Sequence, residues 1–119
     1  MATNLHADIL SDLAAALAGS LGIAPTANLD PERRFPSMFE PIHGAAFDIA
    51  GKGVANPVGA LWTAALMLDH LGEKDAALKL IEAVECVTAS GLHTPDLGGK
   101  ATTREVSSAV CDAIQSSSV

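Results

Sequence analysis

Stretches of apolar residues at helical spacing outnumber the stretches that can pair as strands, and this imbalance limits what the chain can fold into by itself. From Ala7 to Ala18 the residues Ile9, Leu10, Leu13, Ala14 and Leu17 recur with a helical period, and Gly19 stands where a left-handed cap would end the helix. Asn56-Pro57 reads as an N-cap followed by proline at the first helical position. It opens a helix with Val58, Leu61, Trp62, Ala65 and Leu68 on one face, up to Gly72. A further helix is expected from Glu73 to Ser90, ended by Gly91, and Thr102 with Glu105 forms a capping box that opens a last helix through Ala113. The residues Gln115 to Val119 are expected to fray. Only Leu21 to Leu29, with Pro25 inside it, and Ser37 to Ile42 have extended character, both suited to a sheet edge. Two or three short strands cannot cover several amphipathic helices, so the expected class is a helix-rich α/β fold with an incomplete sheet, one segment of something larger.

The chain has 119 residues and is 49% hydrophobic, enough for one domain with a core. Its formal net charge of -7, with no cluster of Lys or Arg beyond Arg33-Arg34, offers no footprint for nucleic acid or an anionic membrane surface. The first residues lack the basic and apolar regions of an export signal, and the most apolar helix is too short to span a bilayer. Cys86 and Cys111 match neither a metal-ligand spacing nor a disulfide framework; reduced, buried thiols and a cytoplasmic location are the expectation.

The longest irregular stretch, EPIHGAAFDIAGKGVANP from Glu40 to Pro57, is far more than a turn requires. Gly44, Gly51 and Gly53 spread along it suggest backbone that passes close to a ligand. His43 suits either a nucleotide-facing ring or a solvated one. Asp48 suits either a ribose diol or an Asx-turn. Asn56 is already explained as a helix cap. Lys52 between two glycines resembles a phosphate-loop fragment, yet neither GxxxxGK[ST] nor GxGxxG is present. Asp8 and Asp12 stand one helical turn apart, which places two carboxylates on one face. Such a pair suits Mg²⁺ or Mn²⁺, and equally suits acids placed to complement a helix dipole.

Three stretches together, TNLHADILSD (Thr3 to Asp12), FEPIHGAAFDIAGKGVANP (Phe39 to Pro57) and TPDLGGKATTREV (Thr94 to Val106), resemble the metal-dependent, NAD(P)-dependent β-decarboxylating dehydrogenases of 2-hydroxy acids. This family includes the isopropylmalate, isocitrate, D-malate and tartrate enzymes, and NLDPERRFPSMFEPIHG with Phe47 is most similar to the tartrate and D-malate branch. The resemblance implies that Asp8 and Asp12 hold the divalent metal, Mg²⁺ or Mn²⁺. It implies that His43, Gly44, Ala45 and Ala46 wrap the adenosine half of the cofactor, that Asp48 binds the adenine ribose and that Asn56 reads the adenine. An acid at position 48 favours NAD over NADP, because a carboxylate accepts from the ribose 2′-OH and repels a 2′-phosphate.

The same resemblance covers only the last third of the family's enzymes. It implies that the substrate-clamping arginines, a further metal aspartate and the proton-handling tyrosine and lysine lie outside this chain, so no catalytic residue is expected within it. The chain contains no Tyr at all. The expectation is a single segment, 1–119, of metal-binding helix, cofactor loop and C-terminal helices. It would pair with itself or with the missing N-terminal part, and would be inactive alone. A truncated, non-catalytic binding or assembly module is the alternative, and an isopropylmalate dehydrogenase segment is the alternative within the family.

Overall fold

The computed structural model describes residues 3–116. Helix α1 (Asn4–Ala18) is followed by a 3₁₀ turn at Leu21–Ile23, the strands β1 (Pro25–Asn28) and β2 (Met38–Pro41), and helices α2 (Val58–Leu71) and α3 (Lys74–Ala89). A second 3₁₀ turn at Pro95–Leu97 then leads to α4 (Thr103–Ser116). The strands form one antiparallel pair running from Pro25 opposite Pro41 to Asn28 opposite Met38. The class is therefore α/β and helix-rich, with a two-stranded sheet.

Local chemistry sets most boundaries. Gly19 and Gly72 end α1 and α2 in the left-handed region, at φ 110° and 95°. The capping box closes as expected: the Glu105 N–H donates to Thr102 Oγ1 at 3.2 Å while the Thr102 N–H donates to Glu105 Oε2 at 2.7 Å. Helix α4 runs to Ser116, past the expected end at Ala113, and residues 117–119 of the expected fraying tail lie outside the described residues. The extended reading of Leu21–Leu29 holds only from Pro25. Ser20 Oγ accepts from the Gly22 N–H at 2.9 Å, and this cap turns Leu21–Ile23 into 3₁₀.

The core lies among α2, α3 and α4, where Val58, Ala83, Val84, Val87, Val106 and Val110 pack together. The expected burial of both thiols is wrong: Cys86 and Cys111 are free and exposed. Cys86 falls between the inward Val84 and Val87, and Cys111 follows the inward Val110 by about 100° around the helix, so both point away from the core. Trp62, expected on the inner face of α2, is 40% exposed. On α1 only Ala15 is buried, and the expected apolar face of Ile9, Leu10, Leu13 and Leu17 is uncovered, with Leu17 82% exposed. Among the described residues, no helix is long and apolar enough to cross a membrane.

Candidate functional site: a cleft between the glycine loop and two helix starts

The loop after β2 folds as consecutive turns, with the Ile49 N–H donating to Ala46 O at 3.0 Å and the Lys52 N–H to Ile49 O at 3.1 Å. Gly44, Gly51 and Gly53 have φ of 65°, 75° and 67°, and a Cβ on any of them would meet nothing within 4 Å. Backbone conformation, rather than crowding by the protein, is what demands glycine there. Ala46 shares the left-handed region at φ 42° without that licence, a local strain held by its surroundings. The far end of the loop is anchored on α4: the Thr103 N–H donates to Gly53 O at 2.9 Å and Thr103 Oγ1 to Ala55 O at 2.6 Å.

These turns wall a cleft of about 610 Å³, within the usual range of small-molecule sites of roughly 300–1,000 Å³. The loop side is largely apolar, through Ala45, Ala46, Ile49 and Val54, and the opposite side is made by Ser20, Gly22, Asn56 and Asp96. His43 Nδ1 lies 2.7 Å from Gly44 O. A carbonyl only accepts, so Nδ1 carries the proton of this hydrogen bond and Nε2 is left for another partner.

Asn56 is buried and fixed at both ends of its amide. Its Oδ1 accepts from the N–H of Val58, the first residue of α2, at 3.0 Å, although the cap position falls on Pro57 and not on Asn56 as expected, and its Nδ2 donates to Asp96 Oδ2 at 2.9 Å. Ser20 Oγ donates to the same carboxylate oxygen and Thr94 Oγ1 to the other. Burial works to raise the Asp96 carboxyl. The hydrogen bonds from Ser20, Thr94 and Asn56, with one from its own backbone N–H, outweigh that and hold it below the usual carboxylate range.

The structure thus brings His43, Gly44, Ala45, Ala46 and Asn56 to one cleft. Asp48 lies on the same loop between the lining residues Ala46 and Ile49, but is itself exposed and outside the lining. Asp8 and Asp12 are exposed on α1 and are not among the residues that line the cleft. That helix begins at Asn4, capped by Thr3, so neither acid is in its first turn and the dipole explanation does not apply to them. Among the described residues neither carboxylate has a hydrogen-bond or ion-pair partner, and no group of three or more His, Cys, Asp or Glu side chains converges as a metal site. Sequence reasoning assigned no role to Ser20, Gly22 or Asp96. The only signal was that Asp96 sits in the TPDLGGK stretch.

The family model of isocitrate/isopropylmalate dehydrogenase matches residues 1–113. The chain belongs to that family. It is 72% identical over 119 residues to a probable tartrate dehydrogenase/decarboxylase of Agrobacterium vitis, covering 100% of this chain and 33% of that protein. It is 51% identical to the D-malate dehydrogenase [decarboxylating] of Escherichia coli, covering 96% of this chain and 33% of that protein. Among solved structures, isocitrate dehydrogenase from Methylococcus capsulatus superposes with a TM-score of 0.87 at 42% identity, covering 95% of this chain and 33% of that one. The chain therefore spans about a third of the length of the relatives it matches.

Proposed function

We propose that this chain is the adenosine-binding and metal-binding segment of an NAD-dependent, decarboxylating dehydrogenase of tartrate or D-malate, working in the cytoplasm as one part of a longer fold. The observation that carries the reading is the convergence of His43, the glycine turns and Asn56 on one apolar-walled cleft, in a chain 72% identical to a tartrate dehydrogenase relative. The lining suits a purine nucleoside: apolar surface from Ala45, Ala46 and Ile49, a ring nitrogen on His43, and an oriented amide on Asn56. Asp48, on the loop beside the lining residues, would accept from a ribose hydroxyl and repel a phosphate. NAD, when bound, supplies the hydride acceptor, and a divalent ion on Asp8 and Asp12 would polarise the hydroxyl being oxidised. What this chain does is hold the adenosine end, exclude water from it with the loop, and offer two hard carboxylate oxygens on one helix face.

The test is a chimaera in which these residues replace the matching third of the Agrobacterium vitis relative. It is expected to oxidise tartrate or D-malate with NAD and Mn²⁺, while the 119-residue chain alone is expected to show no turnover, since the clamp and proton donor lie elsewhere. A folded chimaera that turns over neither acid, beside an active parent, would sink the proposal.

Assembly follows from α1. Leu5, Ile9, Leu10, Leu13 and Leu17, the last 82% exposed, form a contiguous uncovered apolar face of the kind that marks an interaction surface. The isolated chain should therefore sediment as a dimer or larger species, and replacing Leu10 and Leu13 with Glu should shift it toward monomer. A cooperative monomer from the unaltered chain would remove the argument that α1 needs a partner.

A further inference from the structure

We infer that Asp96 is a positioning residue that fixes the Asn56 amide on the wall of the cleft, with Ser20 and Gly22 closing the clasp from the other side. The inference rests on the reading of the cleft as a cofactor site. The amide's orientation is forced: the Val58 N–H can only donate, so it faces Oδ1, and the Asp96 carboxylate only accepts, so it faces Nδ2. One N–H and one lone pair of Asn56 remain for a ligand, in known directions. The carboxylate is itself held from turning, because Ser20 Oγ bonds Oδ2 while Oγ1 of the almost fully buried Thr94 bonds Oδ1.

Gly22 is the independent observation. Its φ is not in the left-handed region, so conformation does not require glycine, but a Cβ there would lie 2.8 Å from Asn56 Cβ and 3.0 Å from Asp96 Oδ2. The missing side chain is what lets the turn after α1 close on the pair, and the Gly22 N–H donates to the same Ser20 hydroxyl that binds Asp96. Four residues from two separated stretches, Ser20 and Gly22 with Thr94 and Asp96, thus serve one amide. A helix cap alone would need only the bond between Asn56 and Val58.

The test uses the intact chain, nitrogen-labelled for NMR, with NAD as the calorimetric probe. Asp96→Asn keeps the volume but loses the charge and half the acceptors. It is expected to move the Asn56 side-chain amide resonances and weaken NAD binding by about three- to tenfold, the factor expected when a side chain held in one well redistributes over about three. Gly22→Ala, which pushes on Asn56 with Asp96 intact, is expected to do the same, and decides the matter if Asp96→Asn does not fold. Unmoved Asn56 resonances, or wild-type affinity in both folded variants, would overturn the inference. If the wild-type chain fails to bind NAD, the cofactor reading falls instead, and the amide resonances alone then decide whether Asp96 orients Asn56.

Discussion

Replacing Gly99 with alanine should destabilise the chain more than any other single methyl addition considered for its glycines. A Cβ at position 99 would lie 1.8 Å from His93 O and 2.4 Å from His93 C, distances at which the backbone has to move. It is poorly placed to do so. The His93 carbonyl accepts from the Ala101 N–H at 2.9 Å, the Gly99 N–H donates to Thr94 O at 3.1 Å, and His93 Nε2 is 2.9 Å from Thr88 O. Relieving the overlap breaks the first two bonds and displaces Thr94, one of the most buried residues, together with the Asp96 it helps to hold. Overpacking costs about 1–3 kcal/mol where neighbours can give, so a collision with pinned backbone is expected to cost at least about 3 kcal/mol. The control is the residue before it. Gly98 has φ 78° and open space around its Cβ position, so Gly98→Ala meets only the left-handed penalty, about 1–2 kcal/mol. Urea midpoints for the two variants should fall in that order, and a Gly99→Ala protein as stable as Gly98→Ala would mean that this contact is not as close as described.

That contrast shows what the sequence could and could not display. Gly19, Gly72 and the Thr102/Glu105 box were legible because a cap is decided by residues within one turn of each other, and Val58 on the inner face of α2 was legible through the helical period, whereas the core valines of α3 and α4 were not singled out. The start of α1 at Asn4 escaped, although Thr3 is a sound N-cap, because the apolar period becomes regular only later. Gly98 and Gly99 look alike as letters and differ in reason, one conformational and one steric. The clasp was invisible for another cause. Asp96 bonds Ser20 across 76 residues and Asn56 across 40, and no local pattern carries information over such separations. The family resemblance led to the loop side of the cleft and to Asn56, but assigned nothing to Ser20, Gly22 or Asp96 beside it. The uncovered apolar faces anticipated from the strand count are real on α1 and reach α2 at Trp62, while Val58, Val84, Val87, Val106 and Val110 bury the facing sides of α2, α3 and α4 against one another.

In a chimaeric enzyme carrying this segment, Asp48→Ala should lower the preference for NAD over NADP by about ten- to a hundredfold, read as the ratio of kcat/KM values for the two cofactors. Two effects push the same way. On the proposed reading, an acceptor for the ribose 2′-OH is lost, which weakens NAD, and a negative charge that would oppose a 2′-phosphate is lost, which favours NADP. The position of Asp48 permits both, since it is exposed on a loop whose neighbouring Ala46 and Ile49 line the cleft, so its carboxylate can reach a ligand at the rim without being buried first. Because it carries no part of the Asn56 and Asp96 clasp, the fold and the opposite wall should be untouched. Asp8 and Asp12 lie on α1 and do not line the cleft, so the Mn²⁺ concentration for half-maximal rate should not change. Asp48→Arg should go further and favour NADP outright, by replacing repulsion with attraction. Unchanged discrimination in a folded Asp48→Ala enzyme would reduce Asp48 to a turn residue, leaving the choice of cofactor to be made by residues outside this chain.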